Sequence, residues 1–107
     1  MPLNPFSCDS IGDGRKVVAA PGTAETLVSA STPAKVVIIT AETDNTDIIC
    51  VGGSTVVEAD ATRRGTPLYA GESVTLFVDD LIDVYLDCAV AGEGVTYTYM
   101  YSAVLGS

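Results

Sequence analysis

Carboxylates are the abundant reactive groups of this 107-residue chain, and histidine, the commonest general base, is absent. Without histidine the Ser–His–Asp and Cys–His nucleophile systems are excluded. The acids cluster as Asp79, Asp80, Asp83 and Asp87, and as Asp44 with Asn45 and Asp47. Oxygen ligands of this kind suit calcium. Neither spacing matches the D-x-[DN]-x-[DN]-G loop with its distal Glu, and Asp9 with Asp13-Gly14 comes no closer. Solvated turn residues are the simpler reading. A two-carboxylate glycosidase needs a cleft that distorts a sugar ring, and a small sandwich has little room for one. Nor is there a tryptophan to serve as a sugar platform. Gly52-Gly53-Ser54-Thr55 resembles part of a phosphate loop, but no lysine follows it. Cys8, Cys50 and Cys88 lack C-x-x-C spacing, and a zinc site would need all three thiolates plus a carboxylate. Small apolar filler in a reducing compartment accounts for them, although the spacing leaves a Cys50–Cys88 bridge open. No catalytic residue, metal or cofactor is expected, and the chain reads as a non-enzyme.

Charge narrows the partners. The net charge is −9, and residues 65–107 hold six acids without one base. A half-chain of that kind cannot neutralise phosphates, so direct nucleic-acid binding is not expected, nor is adhesion to an anionic membrane. No apolar run approaches the ~20 residues that span a bilayer, and the N-terminus lacks the pattern of a secretory signal. One domain fits the length.

The elements that must carry these residues are strands. Val, Thr and Tyr dominate, and no sustained helical stripe occurs. Short β-like runs between Gly, Pro, Asp and Asn predict strands at Lys16–Ala20, Glu25–Ser29, Lys35–Ala41, Asp47–Val51, Ser54–Glu58, Glu72–Val78, Asp83–Val90 and Val95–Val104. Such spacing argues for an all-β, single antiparallel β-sandwich or a barrel. Gly52-Gly53 predicts a type I′ hairpin that sets Ile49 opposite Val56 and Cys50 opposite Thr55. A second hairpin pairs Val90 with Val95, putting Val84, Leu86, Cys88 and Val90 on one core face with Tyr101, Tyr99, Tyr97 and Val95. Asp87, Thr96 and Thr98 then take the reverse face. Lys35–Ala41, apolar on both parities, predicts a central strand covered on both sides. Ala59–Gly65, with Arg63 and Arg64, reads as a polar loop. Residues 1–14 read as an extended N-terminal arm because Pro2 and Pro5 disfavour helix, leaving 15–107 as the sandwich domain.

Asn45-Thr46-Asp47-Ile48-Ile49-Cys50-Val51-Gly52-Gly53-Ser54, Gly65-Thr66-Pro67-Leu68-Tyr69-Ala70-Gly71-Glu72-Ser73-Val74, Asp80-Leu81-Ile82-Asp83-Val84-Tyr85 and Gly94-Val95-Thr96-Tyr97-Thr98-Tyr99 form a rhythm of turns and strands. Across residues 35–101 this resembles small jelly-roll capsid decoration (cement) proteins of tailed bacteriophages. The resemblance implies a jelly-roll-like fold and no active site. It implies a structural virion protein on the capsid exterior, made in the host cytoplasm, that stabilises the head by bridging major capsid protein subunits. Its expected partners are the major capsid protein and itself as a homo-oligomer, a trimer ahead of a dimer. The alternative is a receptor- or glycan-binding module of a tail or neck fibre.

Two groups of residues are expected to make partner contacts. Phe77, Tyr85 and Met100 should share the outer face of one sheet with Thr75 and Thr98, and grouped apolar residues there mark a contact surface or lie under the chain's own arm. Pro2, Leu3, Pro5 and Phe6 should form a docking arm whose prolines lower the entropic cost of ordering. The rival role for that arm is to cover an edge strand of its own sandwich.

Overall fold

Where β-branched and aromatic residues alternate with small polar ones, the described residues form eight strands. The computed structural model describes residues 8–102. In chain order the strands are β1 (Ser10–Val17), β2 (Glu25–Thr26), β3 (Val36–Ala41), β4 (Ile49–Gly52), β5 (Thr66–Leu68), β6 (Ser73–Leu76), β7 (Tyr85–Cys88) and β8 (Gly94–Tyr101). They build two antiparallel four-stranded sheets, ordered β1-β8-β3-β6 and β2-β7-β4-β5. Every connection except β4–β5 crosses from one sheet to the other. This is the strand order of a jelly-roll sandwich, as the sequence reading expected. Among the described residues, helix is limited to short 3₁₀ turns at Asp60–Thr62 and Leu81–Asp83.

The core lies between the sheets. Val37, Ile39, Ala41 and Val95 meet Ile49, Val51, Leu68, Leu86 and Cys88 there, and Val18, Leu27, Leu81 and Val84 close the ends. Tyr97 and Tyr99 pack partly buried against this cluster. They also explain two glycines in β1: a Cβ on Gly12 would sit 2.3 Å from the Tyr99 ring, and one on Gly14 2.4 Å from the Tyr97 hydroxyl.

Several expected pairings are replaced. The Gly52-Gly53 hairpin does not form; neither glycine has a positive φ, and Ser54–Glu58 lies outside both sheets. Ile49 instead faces Leu68 and Cys88, and Cys50 faces Pro67 and Asp87. Nor do β7 and β8 form a hairpin. They belong to opposite sheets and face one another across the core, so Val84, Leu86, Cys88, Val95, Tyr97 and Tyr99 do point inward as expected. Alternation reports which side of a strand is buried, and it is the same whether two apolar sides lie edge to edge or face to face. Val90, expected in that core, is 42% exposed beyond the end of β7. β3 is an interior strand, but Ile38 on its outer side is exposed, so cover is one-sided. The expected arm boundary at residue 14 falls inside β1, because residues 10–14 pair with β8. Of the arm, Pro2, Leu3, Pro5 and Phe6 lie outside the described residues.

Candidate functional site

Six carboxylates, those of Glu25, Asp47, Glu72, Asp80, Asp87 and Glu93, are occupied with backbone N–H groups. Glu93, only 5% exposed between β7 and β8, accepts from the Thr46 amide at 2.9 Å and the Asp47 amide at 2.7 Å. Beside it Asn45 makes a reciprocal pair with Gly94, its Nδ2 donating at 2.9 Å and its Oδ1 accepting at 3.0 Å. Together they pin the β3–β4 connection to the start of β8. Asp87 is on the outer side of β7, as alternation demands, yet is 2% exposed. Its Oδ1 accepts from the Gly22 amide at 3.0 Å and its Oδ2 from the Glu58 amide at 2.8 Å. It thereby ties two loops over the second sheet, and sequence periodicity alone gave no sign of that cover.

Asp80 caps the 3₁₀ turn at Leu81–Asp83. The Ser31 hydroxyl, then the Ile82 and Thr32 amides, hold its carboxyl below the usual aspartate range. Desolvation pushes Glu25 up, but the Ala20 amide, Lys16 and the Ala19 amide outweigh it and its pKa is lowered. Glu42 is held low chiefly by the hydrogen bond from Arg15. Among the described residues no three Cys, Asp or Glu side chains gather as metal ligands.

The thiols are equally quiet. Cys88 faces the central core and Cys50 faces the opposite side of the same sheet, so the bridge left open by spacing is absent and both are free. Burial pushes Cys50 up and Cys88 up to about 11, leaving both as poorly nucleophilic thiols.

A surface cleft of about 360 Å³ opens between Asp47, Glu58, Asp60, Arg63 and Tyr69. Arg63 is already neutralised there, 2.6 Å from Asp60 and 3.3 Å from Glu58, which leaves little field for an anion. Tyr69 stands exposed at its rim.

The remaining candidate is the outer face of β1-β8-β3-β6. Register lays Ile11, Met100 and Val36 side by side across three strands, and Phe77, one residue past the Leu76–Val37 pair, continues the row. Ile11 is 71% exposed and Phe77 66%. The next row is Asp13, Thr98, Ile38 and Thr75, followed by Arg15, Thr96, Thr40 and Ser73. Phe77 and Met100 therefore do share an outer face with Thr75 and Thr98. Tyr85 does not. It belongs to the other sheet, half-buried against Ile48, Cys50 and Val56. The sequence reading also missed Ile11, Val36 and Ile38: residues 1–14 read as an extended arm outside the sandwich, so the alternation of Ile11, Asp13, Arg15 and Val17 went unused.

No protein-family model matches the chain, and no curated protein or solved structure matches it either. No helix among the described residues is long and apolar enough to cross a membrane.

Proposed function

We propose that this chain is a non-enzymatic structural protein of a tailed-phage virion, a capsid decoration protein. In this reading it binds the outside of the assembled head and bridges neighbouring major capsid protein subunits. The observation that carries it is the row Ile11–Met100–Val36, with Ile38 beside it, on a sheet face that also carries Thr40, Ser73, Thr75, Thr96 and Thr98, with Asp13 and Arg15 at its edge. Apolar side chains grouped on an outer face suit protein contact, and β-branched hydroxyl residues around them suit a rim that stays soluble when free. The jelly-roll order is compatible with this role but is shared by proteins of many functions. The turn-and-strand resemblance to cement proteins supplies the choice of partner.

A second reading is a receptor- or glycan-binding module of a tail or neck fibre. It draws on Tyr69, exposed beside the carboxylates of the Asp47–Asp60 cleft, where an aromatic face and acceptor groups suit a sugar. Copy number separates the two. Mass-spectrometric stoichiometry of purified particles should give copies comparable with the major capsid protein. A handful of copies confined to tail fractions would favour the fibre module instead.

A further inference from the structure

At the edge of the first sheet, β1 pairs with β8 on one side and, among the described residues, with no strand on the other. Its hydrogen-bonding parity is fixed by neighbouring bonds. The Glu42 amide bonds the Gly94 carbonyl at 3.0 Å, so even-numbered residues of β8 serve β3 and odd-numbered ones serve β1. The Val18 amide bonds the Glu93 carbonyl at 2.9 Å in the same register, so even-numbered residues of β1 bond to β8. Ile11, Asp13, Arg15 and Val17 therefore turn their N–H and C=O groups outward, along an edge that no described strand covers. The strand is eight residues long and has no proline. Its inward charge, Lys16, is neutralised by Glu25 at 3.0 Å. Long edges usually carry stronger protection than this.

We infer that β1 is a self-pairing edge: a second copy of this chain adds antiparallel to it about a two-fold axis at Gly14. In that register Asp13 faces the partner's Arg15 and Arg15 faces the partner's Asp13. Ile11 faces the partner's Val17, and Val17 the partner's Ile11. All four side chains lie on the outer face, so each pair is a true cross-strand neighbour, apolar with apolar and acid with base. Shifting the axis to residue 13 or 15 sets Asp13 on Asp13 or Arg15 on Arg15. Shifting it to residue 12 sets Ile11 on Asp13. On the inner side the Gly14 axis brings together two glycines, and Gly12 with Lys16, so no bulky groups collide. Charge agrees as well. The chain carries −9 overall, whereas β1 holds one acid and two bases. Asp13 makes no ion pair among the described residues, while Arg15, which Glu42 already holds, keeps 62% of its side chain exposed. The contact is isologous, so it closes at two copies and makes a dimer where the sequence reading put a trimer first. It joins two four-stranded sheets into one eight-stranded sheet whose outer faces lie on the same side.

Analytical ultracentrifugation of the full chain and two charge variants tests this. Wild type at micromolar concentration should sediment at twice the 11.0 kDa chain mass. Asp13→Arg and Arg15→Asp should each weaken the dimer by about a hundredfold, since each sets like charges opposite one another twice. Mixed in equal amounts they should recover a heterodimer, because every pair is then complementary. Asp13→Pro, which removes one outward N–H and leaves the β8 bonds intact, should be monomeric with an unchanged far-UV spectrum. A monomeric wild type, an Asp13→Pro variant that still dimerises, or folded charge variants whose mixture stays monomeric would each overturn the inference.

Discussion

On the outer side of β2-β7-β4-β5, Ile48, Cys50 and Val56 are buried in a small second core with Ala24 and Tyr85 packed against it. On the outer side of β1-β8-β3-β6, Ile11 and Ile38 are exposed. The two sheets have the same number of strands and similar alternation, so the difference comes from the connections. The β1–β2 connection and the long β4–β5 connection fold over the second sheet, and Asp87 holds both by their amides. No described segment does this for the first sheet. Outward apolar residues thus serve stability on one face, and on the other they stand exposed. A buried carboxylate under self-made cover marks the first case, and a bare row bordered by threonines marks the second.

Breaking the core that both faces share has the largest effect. Leu86→Ala should cost ~2–5 kcal/mol in urea unfolding, because a buried side chain leaves a cavity. Removing the cover from one face comes next. Asp87→Ala leaves the Gly22 and Glu58 amides without their acceptor and should cost about 1–3 kcal/mol. Hydrogen exchange should speed up at those two amides. Thiol labelling should speed up at Cys50, which lies under the loops, but not at Cys88 in the central core. Equal acceleration at both cysteines would show that the cover and the core open together.

Acid sharpens the comparison at the opposite end of the sandwich. Asp80 has a folded-state pKa below its unfolded value, so its contribution is fully present above about pH 4 and is lost as pH falls through the folded pKa. Asp80→Asn should therefore lower the melting temperature at neutral pH, and the gap to wild type should close in acid. The smallest effect belongs to the bare face. Ile38→Ser with Phe77→Ser should change unfolding free energy by only about 0.5 kcal/mol per site, since neither side chain is in a packed core.

Much of the fold was legible because period-two alternation is a local signal. It marked Leu86, Cys88, Val95 and Tyr97 as inward, and dense turn residues called for a sandwich. Partner choice was not legible. Nothing local distinguishes a Gly-Gly hairpin from a strand that leaves for a loop, as Gly52-Gly53 does, because β4 is held by β5 and β7 rather than by the segment that follows it. Asp87 looked solvent-facing for the same reason: its cover comes from Gly22 and Glu58, far away in sequence. Of the expected contact residues, Phe77 and Met100 fell on the bare face because they keep the parity of their own strands. Tyr85 fell elsewhere because its strand belongs to the other sheet.

Binding to the shell tests the central claim most directly. Cognate phage heads lacking this protein would be mixed with wild type or with the Ile38→Ser/Phe77→Ser variant, both sites lying away from β1, sedimented, and the bound copies counted against the major capsid protein. The account predicts saturable binding of wild type and at least a tenfold loss of affinity for the equally folded variant. Binding of the variant at wild-type affinity and stoichiometry would contradict it.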